Sequence, residues 1–533
     1  VLYRGAGRRT VRVWGVRLLG VCALVALASW TDFGKLHTIH VDAPGQAEAA
    51  PGRRKIERVL PFHFHEFFHY YLGAKYFREN GYEGLYDCTA LADAELAEQQ
   101  HVRPRIGGWV RDLDDVLVDK TYEQAKAQCR DEIRPRFSDR RWREFEDDLR
   151  ELQRLVPDGW WGDVVFDAGF NPPPSWVVVG GAFANAIPIR AGGVPTFLLA
   201  TSLDVLLLLA CFLALRSAFG DATAAMAGVF FGATFIATYA WNGGAFLRYT
   251  WVAALVLALA ATRRGRWALA GALFAASTCD RLFPIGFAAG AALPLAVRAI
   301  RSPEDRRKLA RFGAGFGGTV AALVGVSLAL YGVRAWEVFF ERILRHGDVY
   351  YVMHIGLKKV LTWRDWVPHQ DFRNHYGLHN FHDWNLRLRA TWHAMWPIAI
   401  PIQLAGALGA AWASLRRRPY EASLLFGVVG MFFFNIPANY YYVVLALVPA
   451  LLLRAAMTAP TPSLRLREYA ALTAFTLFWV TTLLASRWTP DDIVYDHLIC
   501  VALLLFLVAW IGLWIRVRPV RQLLRARLRA PIG

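Results

Sequence analysis

The sequence predicts an all-α polytopic membrane protein with about twelve transmembrane helices and two large loops on one side of the membrane. Three observations carry that expectation. The chain of 533 residues is 55% hydrophobic and only 19% charged, and its apolar residues fall in long blocks. The net charge of +17 sits in short Lys/Arg runs between those blocks, as the positive-inside rule expects. Two polar stretches, 31–194 and 334–392, interrupt the series. Basic charge placed in this way argues against a nucleic-acid partner, while the 21 Trp and 19 Tyr suit belts at the membrane interface.

The N-terminus carries Arg4, Arg8, Arg9, Arg12 and Arg17 ahead of an apolar run to Trp30. With no small-residue cleavage site before Asp32, residues 1–30 read as a cytoplasmic end and an uncleaved first span. Residues 31–194 then form an outer loop. Within it 89–154 is charged and helix-prone, with DLDDVLVDKTYEQAKAQC and RRWREFEDDLRELQRLV keeping apolar residues at helical spacing. Four cysteines lie in apolar runs; Cys88 and Cys129 share the outer loop and can pair in an oxidising compartment, although spacing alone does not bring them together. Residues 167–176, with Pro172, Pro173 and Pro174, lead rigidly into 177–189, too short for a comfortable crossing and read as a re-entrant or short membrane segment.

Spans are expected near 195–216, 222–241, 246–263, 266–281, 283–298, 309–333, 393–415, 421–436, 439–457, 468–486 and 497–515. If 177–189 does not cross, the basic runs at 263–266, 306–311, 416–418 and 465–467 and the tail 516–533 share the cytoplasmic side. The second outer loop, 334–392, contains WEVFFERILRH and VYYVMHIGLKKVLTW, expected as amphipathic helices lying on the membrane surface.

Two chemistries compete for the stretch just after the first span. His65, Glu66 and His69 form HEFFH, the zinc-protease pattern in which two histidines one turn apart bind metal and the glutamate activates water. No third ligand stands at a familiar downstream position. The same stretch reads as an acid opening an aromatic helix, from Glu66 through Tyr70, Tyr71, Gly73 and Ala74, followed by Gly81 and Gly84-Leu85-Tyr86-Asp87. In order after it come Phe170-Asn171-Pro172-Pro173-Pro174, Asn242-Gly243-Gly244 and Asp280-Arg281-Leu282-Phe283-Pro284.

This ordered set, over about residues 11–360, resembles the GT-C superfamily of integral-membrane glycosyltransferases, and among them the mannosyltransferase-like members. The chain departs from that pattern in having Glu66 where such families often place Asp, and in the size of the 89–154 insert. The resemblance implies inverting transfer of a sugar from a polyprenyl-phosphate donor to a hydroxyl of a lipid, glycan or protein acceptor, on the outer or periplasmic face of the plasma (inner) membrane. It implies Glu66 as general base, with structural pairing to Lys75 or Arg78 as the alternative. His65 and His69 would hold acceptor, phosphate or a divalent ion, no cofactor being certain. Arg281, beside Asp280, is the first candidate for the leaving phosphate, unless the two only pair structurally. Arg248, His346, His354 and Lys358 are further candidates, while Lys358 and Lys359 can also snorkel to lipid headgroups. A transporter would show matched repeats with broken helices, and no repeat is evident.

Overall fold

The computed structural model describes residues 2–42, 55–156, 159–234, 236, 238–366, 381–435, 437–489 and 492–515. It is a bundle of apolar helices with a helical cap on one end; the basic tail 516–533 lies outside the described residues. Among the described residues seven helices are long and apolar enough to cross a membrane: Val13–Trp30, Val194–Phe219, Pro303–His346, Trp396–Ser414, Asn439–Thr458, Pro462–Trp488 and Ile493–Gly512.

The remaining expected spans form shorter helices, Asp221–Gly232, Thr250–Arg263, Trp267–Asp280, Ile285–Ala299 and Pro419–Phe434. At about 1.5 Å per residue these fall short of a hydrocarbon core of about 30 Å. They survive because neighbours enclose them. Trp267–Asp280 packs along Pro303–His346, and Ile285–Ala299 along Pro419–Phe434. In the first pair Gly271 and Gly315 let the backbones touch, since a Cβ on either would meet the other helix's carbonyl at 2.0 or 1.9 Å. In Val13–Trp30, and in the most apolar eighteen residues of Pro303–His346, only 6% of the residues are buried, which suits helices that face lipid.

The direction of the chain sorts the two ends. Thr250–Arg263 and Ile285–Ala299 run from the capped end toward the basic runs, and Pro419–Phe434 returns from them. The runs around 263–266, 301–311 and 416–418 therefore share the end away from the cap.

The cap departs from an all-α reading in two places. His37–Asp42 pairs antiparallel with Lys55–Leu60, and Trp109–Arg111 with Asp119–Thr121. The second hairpin replaces the first half of an expected helix. Its turn is set by Asp112 and Asp115, whose carboxylates accept from Asp114 N–H and Leu117 N–H at 3.0 and 3.1 Å, a local bonding that competes with helix. Helix resumes at Tyr122–Gln128 behind a Thr121/Gln124 capping box. Asp139–Leu155, capped by Ser138, buries Trp142, Phe145, Leu149 and Leu152 on one face, as its spacing predicts. Pro174–Ala186 is a helix of 13 residues, about 20 Å long.

In the second loop, WEVFFERILRH continues the 44-residue helix Pro303–His346 beyond a break at Gly332, where φ is 77°. Phe339 and Arg342 turn inward while Phe340 and Leu344 are exposed. VYYVMHIGLKKVLTW does not form the expected surface helix; only Leu357–Leu361 is α-helical. Val349, Tyr350, Ile355 and Leu357 are all buried, which no single face of a surface helix allows. The chain instead runs extended beside Pro437 and Ala438, with Ile355 N–H donating to Pro437 O at 3.0 Å.

Candidate active site

The segment carrying Glu66 is rich in large apolar side chains, Phe64, Phe67, Phe68, Tyr71 and Leu72, all of them buried. It begins as α-helix at Phe64–Glu66, widens to a π-helical turn at Phe67–Leu72 and closes as α-helix at Gly73–Lys75; all six residues of the wide turn are buried. Both ends are pinned. His63 N–H donates to Gly244 O at 2.9 Å, and Gly244, at φ +66°, sits so close to Pro61 that a Cβ would lie 2.3 Å from its carbonyl. At the far end Lys75 Nζ meets Asp148 Oδ2 at 2.5 Å, and Tyr76 donates to the same oxygen at 2.7 Å. The insert helix Asp139–Leu155 thus holds the segment in place, and the Cys88–Cys129 disulfide, with Cα atoms 5.0 Å apart, ties the cap together.

Between cap and bundle, at the end away from the basic runs, lies a cavity of about 280 Å³. Its walls include Glu66, His69, Asp167, Arg281, His346, His354 and Lys358, with Tyr70, Tyr440 and Tyr441 beside them. Arg248 stands behind Glu66, its Nη1 bonded to Glu66 Oε2 at 3.0 Å and to Tyr70 Oη at 2.9 Å, and its guanidinium 4.1 Å from the Tyr440 ring centre. Asp280 does not line the cavity but accepts from Arg281 Nη1 at 2.9 Å. His65 also lies outside the lining, against Trp160. Lys358 does not reach for lipid: Nζ donates to Gly347 O at 2.8 Å and lies 3.5 Å from Asp348. Lys359 is buried against Asp496 at 3.5 Å. Lys75 is bonded to Asp148, so the pairing of Glu66 is with Arg248 and not with Lys75.

Arg248 Nη2 and Arg281 Nη2 are buried without a hydrogen-bond partner among the described residues. Arg281 also interacts with the Tyr441 hydroxyl. Two buried guanidinium edges lacking acceptors are costly unless an anion completes them.

Burial raises the Glu66 carboxyl above its ordinary range; Arg248, His69 and Arg281 oppose that rise, and Asp167 adds to it. Asp167 behaves oppositely. Its side chain is 48% exposed; the protein mass around it would raise it, but His69, His65, the Ala168 N–H and His346 together hold it below the usual carboxylate range. Burial lowers His69 despite Asp167, and burial with Arg342 pushes His346 down to about 4. The cavity therefore holds two carboxyl groups of different proton affinity with imidazoles beside them, a division that suits acid–base work.

The HEFFH residues do not converge as metal ligands. His69 Nε2 is 2.7 Å from the Tyr86 hydroxyl and Nδ1 is 3.7 Å from Asp167. Tyr86 Oη in turn accepts from Gly169 N–H at 3.1 Å. Among the described residues no group of three His, Cys, Asp or Glu side chains gathers to hold a metal.

Sequence reasoning missed Asp167, the tyrosines and Asp204. Asp167 hides in a loop where the prolines draw attention; its place before Gly169, at φ +70°, was the available signal. Asp204 is a lone acid inside an apolar span, a pattern that itself marks function. It accepts from Arg248 N–H and Tyr249 N–H at 3.0 and 3.1 Å, fixing the backbone that presents Arg248. Comparison of the chain with protein-family models, curated proteins and solved structures found no match to any of them.

Proposed function

We propose that the chain is a multi-pass glycosyltransferase of GT-C type, with about twelve membrane segments, the short buried helices counted among them. It moves a sugar from a polyprenyl-phosphate donor to an acceptor hydroxyl on the outer face of the plasma (inner) membrane. The observation that carries this reading is one cavity in which a buried carboxyl, Glu66, faces Arg281, with Arg248 behind, both guanidiniums having an unfilled edge. The basic runs at the opposite end support placing the cavity outside. Exposed Leu282, Ile285 and Phe434 on and beside its rim suit a prenyl chain arriving from lipid.

In the proposed step Glu66 takes the proton of the acceptor hydroxyl as its oxygen attacks the anomeric carbon from the face opposite the phosphate. The new carbon–oxygen bond forms as the bond to the phosphate oxygen breaks, inverting the centre, and the polyprenyl phosphate leaves with the electron pair. Arg281, on the cavity wall, stabilises its charge. Asp167 keeps the His69–Tyr86 pair oriented beside the base.

The test is transfer itself, with the protein reconstituted in liposomes containing a radiolabelled polyprenyl-phosphate hexose. Label should pass from the carrier to an acceptor, and Arg281→Gln should slow transfer by about 10²-fold. A wild-type protein that leaves the donor intact but carries stoichiometric zinc, lost on His65→Ala and His69→Ala, would return the chain to the protease reading.

The pH profile follows from the same geometry. A base must be ionised, and burial raises the Glu66 carboxyl, so the rate should fall on acidification at a pH above the ordinary glutamate value of 4.5. Asp167→Asn removes a negative neighbour and should move that acid limb to lower pH. An unmoved limb would show that Glu66 does not govern it.

A further inference from the structure

A second cavity, of about 230 Å³, adjoins the first and shares Asn171 and His346 with it. The insert supplies one wall, through residues 113–117, and the end of Pro303–His346 supplies another, through Arg342 and Arg345, with Arg389 completing it from Phe381–Ala394. None of these residues belongs to the charge system around Glu66, Arg248 and Arg281.

Arg342 is the unusual member. It is 9% exposed, and among the described residues it forms no ion pair. Its Nη1 donates to Leu113 O, and its buried Nε has no hydrogen-bond partner. The neighbouring cations are engaged: Arg345 lies 3.3 Å from Asp114, and Arg389 Nε donates to Asp348 O at 2.8 Å. Asp114 and Asp115 share these walls with the three arginines, and the carboxylate whose field Arg342 feels most, Glu83, stands outside the lining. A buried guanidinium nitrogen with no acceptor is costly unless a ligand supplies one. The aspartates and Asn171 offer acceptors and donors of the kind that hold sugar hydroxyls.

We infer that this cavity is the acceptor subsite and takes a hydroxyl-bearing molecule with an anionic group, a phosphorylated or carboxylated sugar. The anion rests on Arg342, and the reacting hydroxyl reaches past His346 toward Glu66. The role as acceptor site rests on the transferase reading; the binding of such a molecule does not. The insert and the end of Pro303–His346 together then have a task that the bundle cannot perform, selecting acceptors by charge.

Binding is measured without donor, on the full chain in nanodiscs, by saturation-transfer NMR with glucose 6-phosphate, glucuronate and glucose as probes. Both anionic sugars should bind about tenfold or more tightly than glucose, the scale of one charged hydrogen-bonded contact. Arg342→Gln should erase that preference, and Arg342→Lys should keep part of it. Phosphatidylinositol in the nanodisc displacing glucose 6-phosphate identifies a lipid-borne acceptor, and failure to displace identifies a soluble one. Equal affinity for glucose and both anionic sugars in the wild-type chain overturns the subsite, and so does an unchanged preference in a folded Arg342→Gln protein. A protein that binds glucose 6-phosphate through Arg342 yet transfers nothing from a polyprenyl-phosphate donor keeps the subsite and loses the transferase reading.

Discussion

Glu66→Gln is expected to lower sugar transfer by about 10²–10⁴-fold, the usual span of a positioned general base. The substitution removes the basic oxygen and leaves the shape. Glutamine still accepts from Arg248 Nη1, now 3.0 Å from the carboxylate, and Arg248 stays bonded to Tyr70 at 2.9 Å and stacked on Tyr440. The variant should therefore purify as a monodisperse protein and still bind donor, so the loss appears in kcat rather than in KM. Single-turnover transfer measured beside donor binding separates the two. A Glu66→Gln protein that transfers at the wild-type rate would remove Glu66 as base, and Asp167, across the cavity, would be the carboxylate to test next.

Lys75→Met is expected to cost about 3–5 kcal/mol of stability, because removing one member of a buried ion pair strands the other. The Lys75 and Asp148 side chains are 1% and 0% exposed. Tyr76 and the Arg190 N–H would still donate to Asp148, at 2.7 and 3.3 Å, so the lower part of that range is favoured. The double variant Lys75→Met/Asp148→Leu should recover much of the loss, since apolar groups of similar volume can replace a buried pair. Unfolding of the three proteins in detergent measures both effects. A loss below about 1 kcal/mol in Lys75→Met would mean that the insert does not anchor the Glu66 segment.

The large features were legible in the sequence because they are matters of composition. Apolar blocks mark bundle helices whatever their neighbours, and the spacing of Trp142, Phe145, Leu149 and Leu152 announces a one-sided helix. Side-chain meetings across the chain were less legible. Glu66 and Arg248 are separated by 182 positions, and nothing local in either chooses the other over Lys75. Lys75 found Asp148 because the insert folds back over the segment, a tertiary fact. Helix length also misled: 222–241 read as one span, yet its helix ends at Gly232, and only packing reveals that a short helix suffices there. HEFFH shows the converse. The letters match a metal motif, but His69 is committed to Tyr86 and Asp167.

The wide turn at Phe67–Leu72 lets the segment carry an extra residue without changing the aim of its acid. A π-helical turn holds one residue more than the α-helix around it, and deleting one residue there would restore regular α-helix. Each residue of an α-helix corresponds to about 100° of rotation. A π-turn sweeps its extra residue through the angle that α-helix covers with one fewer, so with Lys75 and Tyr76 clamped to Asp148 the deletion would leave Glu66 aimed at Arg248 and the cavity. What it would re-aim are the side chains inside the turn, among them Tyr70, which Arg248 Nη1 meets at 2.9 Å. In this protein the wide turn separates the placing of the acid from the placing of the aromatic residues that follow it.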